Sequence, residues 1–455
     1  MTGPKTPPSE TDRPDPEPPA RAKPDLPTLP AETNRAIEAV VRIEFARVVG
    51  VLARYTGDVG LAEELAQDAL LAALEQWPSS GVPRNAGAWL TTVGKRRAID
   101  RFRRDGTLTS RYAEIGRDLA TSGQGFVPDF EAAFSDEIDD DILRLMFTAC
   151  HPVLGVEARV ALALRLLGGL TTAEIARAYL VPEATVAQRI VRAKRTIARE
   201  GVAFEVPVGD DRGRRLSSVL EVIYAIFNEG YSATAGDDWM RPALCADAVR
   251  LGRILAELTP DEPEVLGLVA LMEIQGSRAA ARSGPSGEPI LLLDQNRARW
   301  DRLLINRGLT ALARAEELGG GRGPYVLQAE IAACHARALR AEDTDWVRIA
   351  ALYGVLAEVA PSPVVELNRA VAVSMAAGPE AGLEVVDGLL DEPSLRSYHL
   401  LFSVRGDLLV KLGRPAEAKV EFERAASLTG NSRERRLSEQ RARAAATAAA
   451  QSPEP

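Results

Sequence analysis

Residues 171–199 read TTAEIARAYLVPEATVAQRIVRAKRTIAR. Thr171 followed by Glu174 predicts a capping box, in which the hydroxyl takes an orphan amide and the carboxylate reaches back to the cap. Ile175 and Ala176 then face inward, and the helix ends near Tyr179 and Leu180. Pro182 suits the first position of a second helix, where its missing N–H costs nothing. In that helix Val186, Ile190, Ala193 and Ile197 recur at helical spacing and predict a buried face. The opposite face carries Ala184, Gln188, Arg192, Arg195 and Arg199, with Thr185 and Arg189 on its flank. Helices over Asp141–Ala149 and Val160–Leu167, the latter closed by Gly168 and Gly169, complete a four-helix unit that ends in a helix-turn-helix. Such a last helix suits a DNA major groove: Arg grips guanine bidentately, Gln reads adenine, and the remaining cations neutralise phosphate. The competing reading is a solvated cationic face on a structural helix.

Working outward, the rest of the chain also reads as helix. Ala, Leu, Arg and Glu dominate and apolar residues recur at three and four, which predicts an all-α fold. Residues 1–33 are rich in Pro and charge, without the apolar core of a signal peptide, and read as a disordered tail. Residues 34–104 form a first helical module. It contains a helix from Leu61 to Trp77 stopped by Pro78, a loop with Gly81 and Pro83, and a helix from Ala86 to Arg104. Residues 105–135 read as a linker and 136–200 as the helix-turn-helix module. Residues 214–318 form a helical extension, 324–430 a repeat-like block and 431–455 an Ala/Arg-rich tail. Gly406, Leu409, Ala418, Phe422 and Ala425 follow the offsets of a tetratricopeptide helix pair, with a weaker copy one repeat earlier; an undifferentiated bundle is the alternative.

The chain is acidic, with a net charge of −9 over 455 residues, which argues against a general nucleic-acid coat protein. Cations are instead concentrated in two islands. One is the helix-turn-helix. The other holds Lys95, Arg96, Arg97, Arg101, Arg103 and Arg104 against a single Asp100. No apolar run is long enough for a membrane helix, and the three scattered cysteines fit a reducing, cytoplasmic setting rather than a disulfide framework.

The first module makes the resemblance specific. Asp58–Leu74, with the run AEELAQDALLAAL from Ala62, then Ala88-Trp89-Leu90, then KRRAIDRFRR over 95–104, resembles region 2 of the extracytoplasmic-function sigma factors. The helix-turn-helix resembles region 4 of the same family. Gly94 departs from the pattern, since glycine weakens a helix by about 1 kcal/mol against Ala. Asp141–Pro152, Ile223–Tyr231 (IYAIFNEGY) and DQNR at 294–297 with Trp300 resemble the subgroup bearing a long C-terminal extension that ends in tetratricopeptide-like repeats.

The resemblance implies a division of labour. Glu63, Glu64, Gln67 and Asp68 would dock on core RNA polymerase. The loop from Pro78 to Ala88 would hold a flipped base of promoter DNA, with Trp89 either lining that pocket or anchoring the core. Lys95, Arg96, Arg97, Arg101, Arg103 and Arg104 would lie along the strand's phosphates, and Asp100 would partner a neighbouring arginine. Thr185, Gln188, Arg189, Arg192, Arg195 and Arg199 would read upstream duplex. No cofactor, metal or catalytic function is expected. The pairs Cys150-His151 and Cys334-His335 lack the ligand spacing of a zinc site. A regulator with a helix-turn-helix and a repeat domain, never acting as sigma, is the alternative. The extension reads as a control element with a protein or ligand partner, and the cluster Tyr224, Phe227, Asn228, Glu229 and Tyr231 as either plain core or a contact site.

Overall fold

The computed structural model describes residues 31–104, 133–285, 287–319 and 322–451; the Pro-rich stretch before Ala31 and residues 105–132 of the expected linker lie outside them. The all-α expectation holds. Helices α1 (Ala31–Thr56), α2 (Val59–Ser80) and α3 (Ala86–Arg104) form the first module. The break between α1 and α2 is built as the sequence suggests: Gly57 takes a positive φ of 70°, and the Asp58 carboxylate accepts the Leu61 amide at 3.0 Å. Pro78 does not stop α2, contrary to expectation. The helix runs on to Ser80, the Ser79 and Ser80 hydroxyls donate to the Gln76 carbonyl, and Gly81 makes the turn with φ 80°. Gly94 also has a reason. A Cβ there would lie 2.7 Å from Leu52 Cδ1, so glycine lets α3 approach α1 closely, and α3 continues unbroken through it.

Helices α4 (Ala133–Ala149), α5 (Val156–Leu166), α6 (Thr172–Tyr179) and α7 (Glu183–Arg199) form the second module. Pro182 caps α7 from just outside, one residue earlier than expected. The extension supplies α8 (Gly209–Tyr231), α9 (Pro242–Leu258), α10 (Pro263–Gly276) and α11 (Arg302–Leu318). These boundaries are not core boundaries. A single apolar core runs from Phe45 through Leu145, Leu164 and Ile223 to Met272, so the two modules and the start of the extension are fused. Arg54 reaches the fully buried Asp141 at 3.1 Å, and Ser218 on α8 donates to the Cys150 carbonyl at 2.5 Å.

The remaining helices are α12 (Pro324–Arg337), α13 (Trp346–Val359), α14 (Pro363–Ala377), α15 (Pro379–Asp387), α16 (His399–Lys411), α17 (Pro415–Leu428) and α18 (Ser432–Gln451). From α13 onward each packs chiefly on its neighbours in sequence, whereas α12 packs chiefly on α10. Gly406 admits the Phe422 ring, 2.6 Å from where its Cβ would sit, so the small residue chosen for its spacing lies at a close helix crossing. Residues 432–451, expected to be a tail, instead form α18 and bury Ser438, Ala442 and Ala445 against the preceding helices. The segment between α17 and α18 closes on the extension. β2 (Gly430–Asn431) pairs in parallel with β1 (Ala235–Gly236), and the buried Asn431 amide donates to the carbonyls of Ala233 and Asp238. Among the described residues no helix is long and apolar enough to cross a membrane.

Candidate nucleic-acid interface

The helix-turn-helix is assembled as its sequence predicts. Thr171 Oγ1 accepts the Glu174 amide at 3.1 Å, and Glu174 accepts the Thr171 amide at 2.7 Å. Leu180 makes the turn in the left-handed region, φ 51°, the single non-glycine residue at positive φ among those described. Val186, Ile190, Ala193 and Ile197 are buried. Gln188, Arg192, Arg195 and Arg199 are exposed along the other side of α7, with Ala184 beside them. Their side chains project into solvent from a helix whose roll is fixed by its buried stripe. Thr185 and Arg189 are half-buried on the flank, and Arg189 is ion-paired to Glu157 at 2.6 Å. Arg199 holds the adjacent Glu200 at 2.9 Å, an exposed pair easily exchanged for a phosphate.

The first basic island lies on α3. Arg96, Arg101, Arg103 and Arg104 are exposed and Lys95 and Arg97 half-buried, with Lys95 Nζ 5.8 Å from the centroid of the Tyr55 ring. Asp100 is exposed, and its carbonyl accepts from Arg104 Nε at 3.2 Å. The loop before α3 ends at Asn85, which caps the helix by accepting the Ala88 amide at 2.9 Å. Trp89 is half-buried and meets the wholly buried Trp77 edge-on, ring centroids 5.4 Å apart. One side of Trp89 is therefore a core anchor, and the remainder is open to solvent.

The acidic residues of α2 divide in an unforeseen way. Glu64 and Asp68 are exposed or half-exposed and pair across to α3, Glu64 with Arg101 at 2.8 Å and Asp68 with Arg97 at 3.2 Å. Gln67 donates to Glu63 at 2.5 Å. Glu63 itself is 2% exposed. Its carboxylate receives Arg165 Nε from α5 at 2.6 Å and also contacts Lys194 from α7. An acid expected on the polymerase-facing surface thus joins the two modules, and Arg165 and Lys194, not singled out from sequence, are its partners. The one hint was Arg165 within the otherwise apolar run VALALRL. Among the described residues no cluster of three or more His, Cys, Asp and Glu is placed to hold a metal ion. Cys150 is buried, which pushes its thiol up to about 12 even with Arg159 nearby.

Comparison with known proteins adds to this geometry. Residues 41–107 match the family described as Sigma-70 region 2, residues 144–197 that described as Sigma-70, region 4, and residues 215–316 a family of unknown function, DUF6596. A protein of Rhizobium meliloti (strain 1021), described as uncharacterized protein R00370, is 44% identical over 393 residues, covering 85% of this chain and 90% of the relative. The ECF RNA polymerase sigma factor SigK of Mycobacterium bovis (strain BCG / Pasteur 1173P2) is 30% identical over 156 residues, 33% of this chain and 78% of SigK. SigK of Mycolicibacterium vanbaalenii is 32% identical over 159 residues, 32% of this chain and 71% of the relative. No solved structure matches.

Proposed function

The chain belongs to the extracytoplasmic-function sigma factors of the sigma-70 family, and from that premise we propose how its surfaces share the work of starting transcription. A sigma factor binds core RNA polymerase and directs it to promoters, so phosphodiester chemistry is the polymerase's and this chain supplies recognition. The exposed edge of α2 bearing Glu64, Gln67 and Asp68 docks on polymerase. The loop from Gly81 to Asn85, with Trp89 behind it, receives an unstacked base, and the α3 cations follow the phosphates of that strand. Gln188, Arg192 and Arg195 read base edges upstream, while Arg189 and Arg199 hold phosphate.

The observation that carries this reading is the rotational setting of α7. Four apolar residues are buried, and the side chains chemically fitted to base edges stand together in solvent on the far side. Footprinting of the holoenzyme tests it. Arg192→Ala with Arg195→Ala should erase upstream duplex protection yet leave strand opening at a strong downstream element. Arg101→Ala with Arg104→Ala should do the reverse. Loss of both signals by either pair would contradict the division.

The extension acts as a control element on this machinery. Support comes from its fusion with the second module: α8 shares the core of α4 and α5, and Gly236 lies against Leu180 at the helix-turn-helix turn. Removing everything from Arg214 would open that core, so a point change is the cleaner test. Asn431→Ala unfastens the segment before α18 from the 233–238 loop. It should alter the yield of specific transcripts at equal polymerase affinity; unchanged yield contradicts a control role.

A further inference from the structure

The turn of the helix-turn-helix is made by a bulky residue where glycine is the ordinary occupant. Leu180 follows α6 in the left-handed region, φ 51°, in which a Cβ crowds the neighbouring carbonyl. Such a conformation persists when the surroundings hold it. Within its own module the Leu180 amide turns back to the carbonyls of Ala176 and Arg177, but the side chain is 54% exposed and takes no part in the core. What meets it comes from the extension. Gly236, itself at φ 97°, lies so close that a Cβ there would be 2.5 Å from Leu180 Cδ1. The preceding residue faces the same loop: burial pushes the Tyr179 hydroxyl up, and Arg241, at the loop's end, opposes that shift.

The loop that carries Gly236 is fixed from two directions. Glu229, buried within the IYAIFNEGY motif of α8, accepts from Thr234 Oγ1 at 3.0 Å and from Arg241, and Arg241 Nη2 donates to the Ala235 carbonyl at 3.0 Å. This ties both ends of the loop to α8. The segment before α18 holds its middle. There β2 pairs with β1, Asn431 Nδ2 donates to the Ala233 and Asp238 carbonyls at 3.2 and 3.1 Å, and Arg433 Nε donates to the Asp237 carbonyl at 2.7 Å. Gly236 thus stands between this clasp and the turn that starts α7. Because α7 begins at Glu183, three residues after Leu180, a change in the turn's dihedral angles swings Gln188, Arg192 and Arg195 together.

We propose that Leu180 and Gly236 are positioning residues for DNA reading, their contact setting the turn and through it the pose of α7. Leu180 keeps its left-handed conformation because Gly236 braces it. When the clasp at Asn431 opens, the loop withdraws, the turn relaxes and the start of α7 frays. Glycine at position 180 would need no brace, since it adopts this region without a steric penalty. The contact is therefore the route by which the extension acts on the helix-turn-helix, and in that use it rests on the reading of the extension as a control element. Its physical part is measured on the chain alone, so it stands or falls whether or not the chain starts transcription.

The test is amide hydrogen exchange on the full-length protein with neither polymerase nor DNA. The amides of Val181, Thr185 and Val186, bonded to the carbonyls of Ala176 and Pro182, report the turn, and residues 233–241 report the loop. Asn431→Ala should speed exchange in both by about tenfold or more. With Leu180→Gly added, the loop should stay fast and the turn should return to its wild-type rate. Should Asn431→Ala also expose the core amides of α5, Gly236→Ala takes its place. A side chain at φ 97° dislodges the loop from Leu180 and leaves the Asn431 clasp intact. The proposal is overturned if the loop loosens while the turn keeps its protection, or if neither segment changes. It is also overturned if the turn loosens equally with Leu180→Gly in place.

Discussion

Replacing Glu63 by Ala would leave Arg165 and Lys194 facing each other without an anion across the seam between the modules. Breaking a buried ion pair from one side costs about 3 kcal/mol, so Glu63→Ala should lower the urea midpoint strongly. Glu64→Ala removes an exposed pair, which is worth at most about 1 kcal/mol, and should leave stability nearly unchanged while weakening polymerase binding. Equal effects of the two substitutions on stability would contradict the assignment. The sequence shows two adjacent acids on one helix and no local difference between them. Their separation depends on α5 and α7, which come from distant sequence, and this is why Glu63 reads as a docking residue until the fold is known. His335 gives a pH prediction at the same scale. Burial first, then Arg278 and Arg297, hold its pKa down to about 3. The unfolded chain therefore binds a proton near pH 6.5 that the folded chain refuses, and stability should fall as pH drops from about 6.5 toward 3. His335→Leu should flatten that part of the curve in urea titrations at fixed pH; an unchanged slope would contradict it.

Helices carry their own evidence when their signals are local. The capping box at Thr171 and the buried stripe Val186, Ile190, Ala193, Ile197 use only contacts within a few turns, and the structure reproduces both. Ends were harder to read. Pro78 is accommodated inside α2, and the segment from Ser432 forms a packed helix because α17 offers it an apolar face that composition does not reveal. Gly94 looked like a defect in α3 and is instead a close contact with Leu52. Gly94→Ala should therefore destabilise by about 1–3 kcal/mol through overpacking, despite its better helix propensity; a stabilised variant would refute the contact. On α7, Arg192→Ala should cost about 1–3 kcal/mol of specific binding and relax preference at one base pair. Arg199→Ala should weaken all sequences alike and reduce the salt dependence of binding by about one phosphate contact. Competition binding with a randomised duplex separates these outcomes.

At the scale of the molecule, segments that are separable in sequence are fused in space. Polar and glycine-rich breaks suggest independent modules, yet one core extends from Phe45 to Met272, and Gly430 and Asn431, just before α18, return to pair with Ala235 and Gly236. Sequence patterns reveal which face of each helix is buried but not which distant helix buries it. The cationic faces of α3 and α7, proposed to read promoter DNA, were legible because their side chains are exposed and regularly spaced. The seam at Glu63 and the contact of Gly236 with Leu180 were not, since both arise from long-range packing. The central claim is that this chain redirects core RNA polymerase to chosen promoters. The most direct test is transcription from a promoter library by purified core polymerase with and without the full-length chain, mapping transcript starts. A small set of shared upstream sequences, initiated only when the chain is present and lost with Arg192→Ala plus Arg195→Ala, is the predicted result. Sequence-specific duplex binding by the chain with no new transcript starts would contradict it.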